Sequence, residues 1–132
     1  MIGIVVLAHG TVAEGLVETT EMIVGEQAQL TAVPFDGKID VADYRDQVVA
    51  AASKVDGGEG ILFLVDLQGG TPCNVAAYLS AASKARVVSG VNVPMLVTVV
   101  LSRAGLALEP LARMARDAGI EGIQDVKLEM EE

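Results

Sequence analysis

The apolar run from Ile2 to Ala8, halted abruptly by His9-Gly10-Thr11, constrains this chain more than any other stretch. A short run rich in Ile and Val, with no polar alternation and a polar stop, reads as a strand buried on both faces, the kind found in parallel sheets covered by helices. A helix start follows it directly. Thr11-Val12-Ala13-Glu14 has the S/T-x-x-E form of a capping box, in which the hydroxyl and the carboxylate satisfy N–H groups that the first turn leaves unpaired. His9, the only histidine in the chain, is therefore expected between the carboxyl end of a strand and the amino end of a helix. Open α/β sheets bind ligands along that edge, and free N–H groups together with the helix dipole favour an anion there. The reading that follows is a histidine that carries a phosphoryl group.

Taken in order, Val12 to Val24 predicts a helix with Leu16, Thr20, Ile23 and Val24 inward, Glu14, Glu18 and Glu21 outward, and Gly25 as its cap. Ala28 to Val33 reads as a second strand, with Pro34-Phe35-Asp36-Gly37 as the turn after it. A second helix opens with Asp40 as N-cap and stops at Asp56-Gly57-Gly58. Gly60 to Val65 is a third buried strand. It ends in Asp66-Leu67-Gln68-Gly69-Gly70-Thr71-Pro72, where Thr71 as N-cap and Pro72 at the first helical position start a helix running to about Lys84. Arg86 to Gly90 is a fourth strand, Met95 to Ser102 a helix despite four β-branched residues, and Leu108 to Ala118 a helix closed by Gly119. The segment Ile120 to Met130 ends as a strand around Val126 to Leu128. Strands alternating with helices predict one domain over 1–132: an α/β, doubly wound, mainly parallel sheet of four strands flanked by helices. If strands one and three are neighbours, His9 and Asp66 face each other across a topological switch point.

Composition narrows the function. Hydrophobic residues make up 52% of the chain but aromatic ones only 3%, so the core must be built from aliphatic side chains. A net charge of −9 argues against nucleic acid or an anionic membrane surface as partner, since both select basic patches. One cysteine, Cys73, and no signal-like opening suggest a reducing cytoplasm. The longest uncharged stretch, Val87 to Ser102, is broken by Gly90, Asn92 and Pro94 and is too short to span a membrane. With neither a G-x-x-x-x-G-K-[ST] loop nor a G-x-G-x-x-G fingerprint, a nucleotide donor is not expected, and the donor would be another protein. No cofactor is expected, and one His with one Cys sets aside the usual transition-metal clusters.

A neutral imidazole can attack phosphorus through one nitrogen when the other bears the proton, and a carboxylate accepting that proton fixes tautomer and orientation. Asp66 is the candidate for that role. Donors to the phosphoryl oxygens are expected from the backbone around Gly10 and Thr11 and around Gly70 and Thr71, with the Thr71 hydroxyl added. Each of these residues also has a plainer reading. A lone histidine is often structural, Asp66 serves equally well as a loop cap, and Thr71-Pro72 starts a helix whether or not it binds anything. Cys73 reads as core packing, because no second histidine exists to activate it.

Four stretches carry a resemblance. Ile4-Val5-Val6-Leu7-Ala8-His9-Gly10, Glu21-Met22-Ile23-Val24-Gly25-Glu26, Phe63-Leu64-Val65-Asp66-Leu67-Gln68-Gly69-Gly70-Thr71-Pro72-Cys73-Asn74 and Gly90-Val91-Asn92-Val93-Pro94-Met95-Leu96 make the chain similar, over nearly its whole length, to the cytoplasmic IIA component of the mannose-type sugar phosphotransferase system. The resemblance implies that His9 accepts a phosphoryl group from HPr and passes it to a histidine of the IIB component, which phosphorylates sugar entering through membrane IIC and IID proteins. It also implies that Asp66 orients the histidine and Thr71 contacts the phosphoryl group. A homodimer is implied as well, in which a C-terminal antiparallel strand, here near Val126 to Leu128, crosses to the partner's sheet. Localisation would be cytoplasmic, with peripheral association at the inner membrane face through the transporter. Gln68 departs from relatives that carry an aromatic residue there, and IIB would be a separate chain. The phosphotransfer subunit of dihydroxyacetone kinase shares fold and histidine chemistry but differs around the histidine and the Gly-Gly-Thr-Pro stretch. A non-catalytic sensor of the same fold is a further alternative. Arg-His-Gly phosphatases and small chelatases, distantly similar at Ala8-His9-Gly10-Thr11, need an arginine, a second histidine or metal ligands that this chain lacks.

Overall fold

The computed structural model describes residues 1–129; Met130, Glu131 and Glu132 lie outside the described residues. Four strands, β1 (Gly3–His9), β2 (Leu30–Phe35), β3 (Ile61–Val65) and β4 (Ala85–Ser89), form one sheet in the order β2-β1-β3-β4, and every pairing is parallel. Between and after them run helices α1 (Val12–Val24), α2 (Val41–Val55), α3 (Thr71–Ser80), α4 (Val93–Ser102) and α5 (Leu108–Glu121). The chain leaves β1 toward β2 on one side and returns to place β3 on the other. The switch point therefore falls between β1 and β3, where the carboxyl ends of neighbouring strands open a crevice.

Alternation along each strand divides the core between two faces. Ile2, Ile4, Val6, Ala8, Leu62 and Leu64 pack beneath α1, α4 and α5, while Val5, Leu7, Val33, Phe63 and Val65 pack beneath α2 and α3. Burial on both faces explains why β1 and β3 read as continuous apolar runs. It also overrides the weak helix propensity of α4: its β-branched Val99 and Val100 are buried with Met95 and Leu96. Asn92 caps that helix, accepting from the Met95 N–H at 3.0 Å and donating to the Gly119 carbonyl at 3.0 Å.

Several local expectations are corrected. In α1 the inward stripe is buried Ala13 and Thr20 with partly buried Leu16, Val17 and Val24, and Ile23, one residue or about 100° from Val24, points outward. β2 lies two residues later than expected, because Pro34 and Phe35 continue the strand. β2 is an edge strand, where proline's missing N–H leaves no ladder bond unmade. α3 stops at Ser80 rather than near Lys84. Gly119 does not close α5, which continues to Glu121; a Cβ there would come within 2.8 Å of Met95 Cε, so the glycine permits close helix packing. Among the described residues the stretch 123–129, which holds the Val126 to Leu128 segment expected to cross to a partner's sheet, is in neither helix nor strand, with Ile123, Val126 and Leu128 exposed, and Met130 lies outside the described residues.

One buried side chain had no signal in the sequence. Arg103, at the end of α4, is 1% exposed and reaches under the amino ends of β1 and β2. Its Nη1 donates to the carbonyls of Ile2 (3.2 Å) and Gln29 (2.8 Å), and its Nη2 donates to that of Ala28.

Candidate functional site

Strand register builds the site. Leu7 and Val65 are partners across β1 and β3, and the Asp66 N–H continues the ladder to the Leu7 carbonyl at 3.2 Å. Asp66 is thus set beside His9, the last residue of β1, although 57 positions separate them. One carboxylate oxygen, Oδ2, accepts both the His9 backbone N–H (2.9 Å) and the ring Nδ1 (2.7 Å); the other, Oδ1, accepts the Leu67 N–H (2.9 Å).

Burial by itself would raise the pKa of Asp66. The hydrogen bonds from the His9 backbone and ring and from Leu67, with the field of the histidine, outweigh it and hold the carboxyl below its ordinary 3.8. An ionised carboxylate only accepts, so in the neutral imidazole Nδ1 carries the proton and the Nε2 lone pair is left free. The imidazole is 46% exposed, open to a reacting group, while Asp66 at 17% is largely covered.

Gly70 closes one side of the ring. A Cβ on it would lie 2.7 Å from His9 Cε1 and 3.3 Å from Nε2, so only a glycine lets the α3 entrance approach the free nitrogen this closely. Gly70, not Thr71, is the N-cap of α3; Thr71 and Pro72 are its first two residues. Among the described residues the N–H groups of Thr71 and Cys73 enter no backbone hydrogen bond, so the first turn of α3 presents free donors and a positive dipole end beside Nε2. At the entrance to α1 the capping box does not form: Thr11 makes no side-chain cap bond, its φ and ψ of −96° and 7° being outside the extended region an N-cap hydroxyl needs. The Gly10 N–H, expected as a phosphoryl donor, is already given to the Phe35 carbonyl at 2.8 Å.

Phe35, which the sequence predicts in a turn, stands instead in the register position opposite His9, its ring 5.7 Å from the imidazole at 85°. Behind it is Tyr44, 4.9 Å away at 64° and fully buried, its hydroxyl donating to the Val33 carbonyl at 2.9 Å. The sparsity of aromatics, two Phe and two Tyr in the whole chain, was the signal that could have drawn attention to this pair. Among the described residues, no three His, Cys, Asp or Glu side chains come together as a metal cluster would require.

Two expected results follow directly. Asp66→Asn is expected to slow any reaction of His9 by about 10²-fold or more, because an amide can present its NH₂ to Nδ1 and select the other tautomer; single-turnover kinetics would register it, and an unchanged rate would remove the orienting role. The carboxyl also contributes pH-dependent stability. Its folded pKa is depressed, so the contribution is complete above about pH 5 and is lost as pH falls through the lowered value; the stability difference between wild type and Asp66→Asn should be constant above that range and shrink as acid titration passes below it.

An open parallel α/β sheet with one histidine, held by a carboxylate at the switch point, is the arrangement a histidine nucleophile requires. The chain matches the family described as PTS system fructose IIA component over residues 3–116. It is 34% identical over 128 residues to the PTS system mannose-specific EIIAB component of Escherichia coli K12, covering 96% of this chain and 40% of that one. To the PTS system fructose-specific EIIA component of Bacillus subtilis it is 35% identical over 112 residues, 84% of this chain and 77% of that one. The crystal structure of the phosphotransferase system component EIIA from Streptococcus agalactiae superposes with a TM-score of 0.87 at 33% identity, over 95% of this chain and 97% of that chain. The protein belongs to the mannose-type IIA family of the sugar phosphotransferase system, whose members are phosphotransferases. It spans 40% of the length of the Escherichia coli relative.

Proposed function

We propose that this chain is the IIA phosphocarrier of a sugar phosphotransferase system, with His9 as the residue phosphorylated. The observation that carries the reading is the 2.7 Å contact from Nδ1 to Asp66, which leaves Nε2 free beside Gly70 and the amino end of α3. In the forward step the Nε2 lone pair forms a bond to phosphorus of phospho-HPr as the donor's own bond breaks and the donor keeps that electron pair. The Nδ1 proton stays between ring and carboxylate, and Asp66 stabilises the positive charge the ring acquires. Phosphoryl oxygens take the free N–H groups and hydroxyl at Thr71, helped by the dipole of α3. Reversal of these movements toward a IIB histidine hands the group on to sugar uptake through the membrane IIC and IID proteins.

Exposed Val12, Val41 and Leu67 lie on the segments leaving the carboxyl ends of β1, β2 and β3, and they suit a site that meets protein partners rather than a small substrate. Among the described residues no helix is long and apolar enough to cross a membrane, which suits a cytoplasmic component that reaches the membrane only through its transporter.

Intact mass at neutral pH after incubation with phosphoenolpyruvate, Enzyme I and HPr tests the reading. One acid-labile phosphoryl group is expected; none, with HPr itself phosphorylated, would overturn it. Gly70→Ala is expected to reduce the transfer rate by about 10²-fold, since the added methyl displaces the imidazole. A rate within twofold or so of wild type would show that the α3 entrance can yield.

A homodimer with exchanged C-terminal strands belongs to the same proposal. Among the described residues β4 pairs only with β3, leaving one edge open. Beside it lies a groove of about 530 Å³ whose lining includes Arg86, Arg113 and Arg116. The tail alternates exposed Val126 and Leu128 with Lys127 and Glu129, a pattern that suits a strand with one apolar face. Light scattering at micromolar concentration is expected to give twice the chain mass for the full chain, and a single-chain mass for a variant ending at Gln124. A full chain of single mass would remove the dimer.

A further inference from the structure

Two of the four aromatic residues in this chain stand in file behind His9, in a core that apart from Phe63 is predominantly aliphatic. The placement is over-determined. Phe35 is the register partner of His9, its carbonyl takes the Gly10 N–H at 2.8 Å, and its ring meets the imidazole edge-on at 5.7 Å. Tyr44 backs Phe35 at 4.9 Å, and the hydroxyl of Tyr44 is tied at 2.9 Å to the Val33 carbonyl, two residues before Phe35 on the same strand. Among the described residues, the only hydrogen bond on the His9 ring is at Nδ1, to Asp66. One such bond leaves the ring free to rock about its own axis; a second and a third surface are needed to hold its plane. Gly70 bounds the ring at Cε1 and Nε2, and Phe35 is the other wall.

We propose that Phe35, backed by Tyr44, is a positioning residue that holds the His9 imidazole with Nδ1 on Asp66 and Nε2 facing the amino end of α3. A rigid flat ring suits this task because it can bear on a second ring through an edge-to-face contact, whereas an aliphatic side chain has rotamers to spare. Its consequence for transfer rests on the phosphocarrier reading: the same Nε2 must meet phosphorus in line from the donor and again for the acceptor, and small misplacements of a reacting group are costly.

Because His9 is the only histidine, long-range ¹H–¹⁵N spectra of the full chain report its ring without ambiguity. Spectra at neutral pH and single-turnover transfer from phospho-HPr would be measured for wild type, Phe35→Leu and Tyr44→Phe. Wild type is expected to show one tautomer with the proton on Nδ1. Phe35→Leu is expected to show averaged nitrogen shifts from mixed orientations, and transfer about 10–100-fold slower with little change in the concentration dependence on HPr. Tyr44→Phe keeps both rings but loses the tie to the Val33 carbonyl, and is expected to depart from wild type in the same direction as Phe35→Leu and by less.

A Phe35→Leu protein with a single Nδ1 tautomer and a wild-type rate, whatever its melting temperature, would reduce Phe35 to core filling and overturn the proposal. Should the leucine variant not fold, Phe35→Met carries the same comparison. A shifted tautomer in Phe35→Leu, with wild type itself taking no phosphoryl group, would uphold the positioning role and overturn the phosphocarrier reading instead.

Discussion

Replacing His9 with alanine is expected to abolish phosphoryl uptake completely while leaving the fold intact. No other histidine exists to accept the group. Cys73, partly buried within the first turn of α3, has no base to activate it. The fold should survive because the imidazole is 46% exposed and the backbone carries what the site contributes to stability. In the variant the Asp66 carboxylate still accepts the N–H of residue 9 and that of Leu67, so no buried charge is stranded. The expected change in stability is within about 1 kcal/mol, in the range of substitutions at accessible positions. Intact mass after incubation with phosphoenolpyruvate, Enzyme I and HPr, beside a thermal melt, reads both quantities. A phosphorylated alanine variant would move the acceptor off His9 and end the mechanism.

Arg103→Ala is the counterpart in stability. Its guanidinium donates to three carbonyls at the amino ends of β1 and β2, the end of the sheet away from His9. Desolvation lowers its pKa from the ordinary value, yet arginine stays charged at any pH of interest. With the side chain gone, the Gln29 carbonyl keeps the Ile4 N–H at 3.0 Å, but the buried carbonyl of Ile2 and the partly buried contact at Ala28 lose a charged donor. Lost charged hydrogen bonds and the cavity together should cost about 3–5 kcal/mol, a fall in Tm of roughly 10–20 °C for a chain of this size. Arg103→Lys should fall between, since an ammonium cannot fork to carbonyls on two strands at once. Urea melts would measure this. A loss under about 1 kcal/mol would mean that water or rearranged backbone replaces the guanidinium. The phosphoryl acceptor should remain competent in whatever fraction stays folded, because the two ends of the sheet share no side chain.

Together these variants separate chemistry from architecture within one sheet, and they also mark what could be read from the chain. His9 and Asp66 were legible because each ends an apolar run, and such ends line the ligand-binding edge of an open sheet. Phe35 was not, since Pro34 reads as a turn residue unless the strand is known to be an edge. Nor was Arg103, whose position after an apolar helix looks like any exposed cationic end. Ile23 shows the same limit at finer scale: helical period identified the element, but a stripe one residue wide decides which side chain is covered.

The sequence by itself determined the alternation of strands and helices, the buried character of β1 and β3, most helix entrances and the presence of one histidine at a strand's carboxyl end. These are local matters of period, capping and apolar run length, which neighbouring residues settle among themselves. Only the tertiary structure decided that β1 lies between β2 and β3, and hence that Asp66 meets Nδ1, Gly70 meets the far edge of the ring, and Phe35 stands behind it. Those contacts join residues far apart in the chain. Their partners are chosen by strand order and register, which depend on how whole faces bury against one another and not on any local pattern.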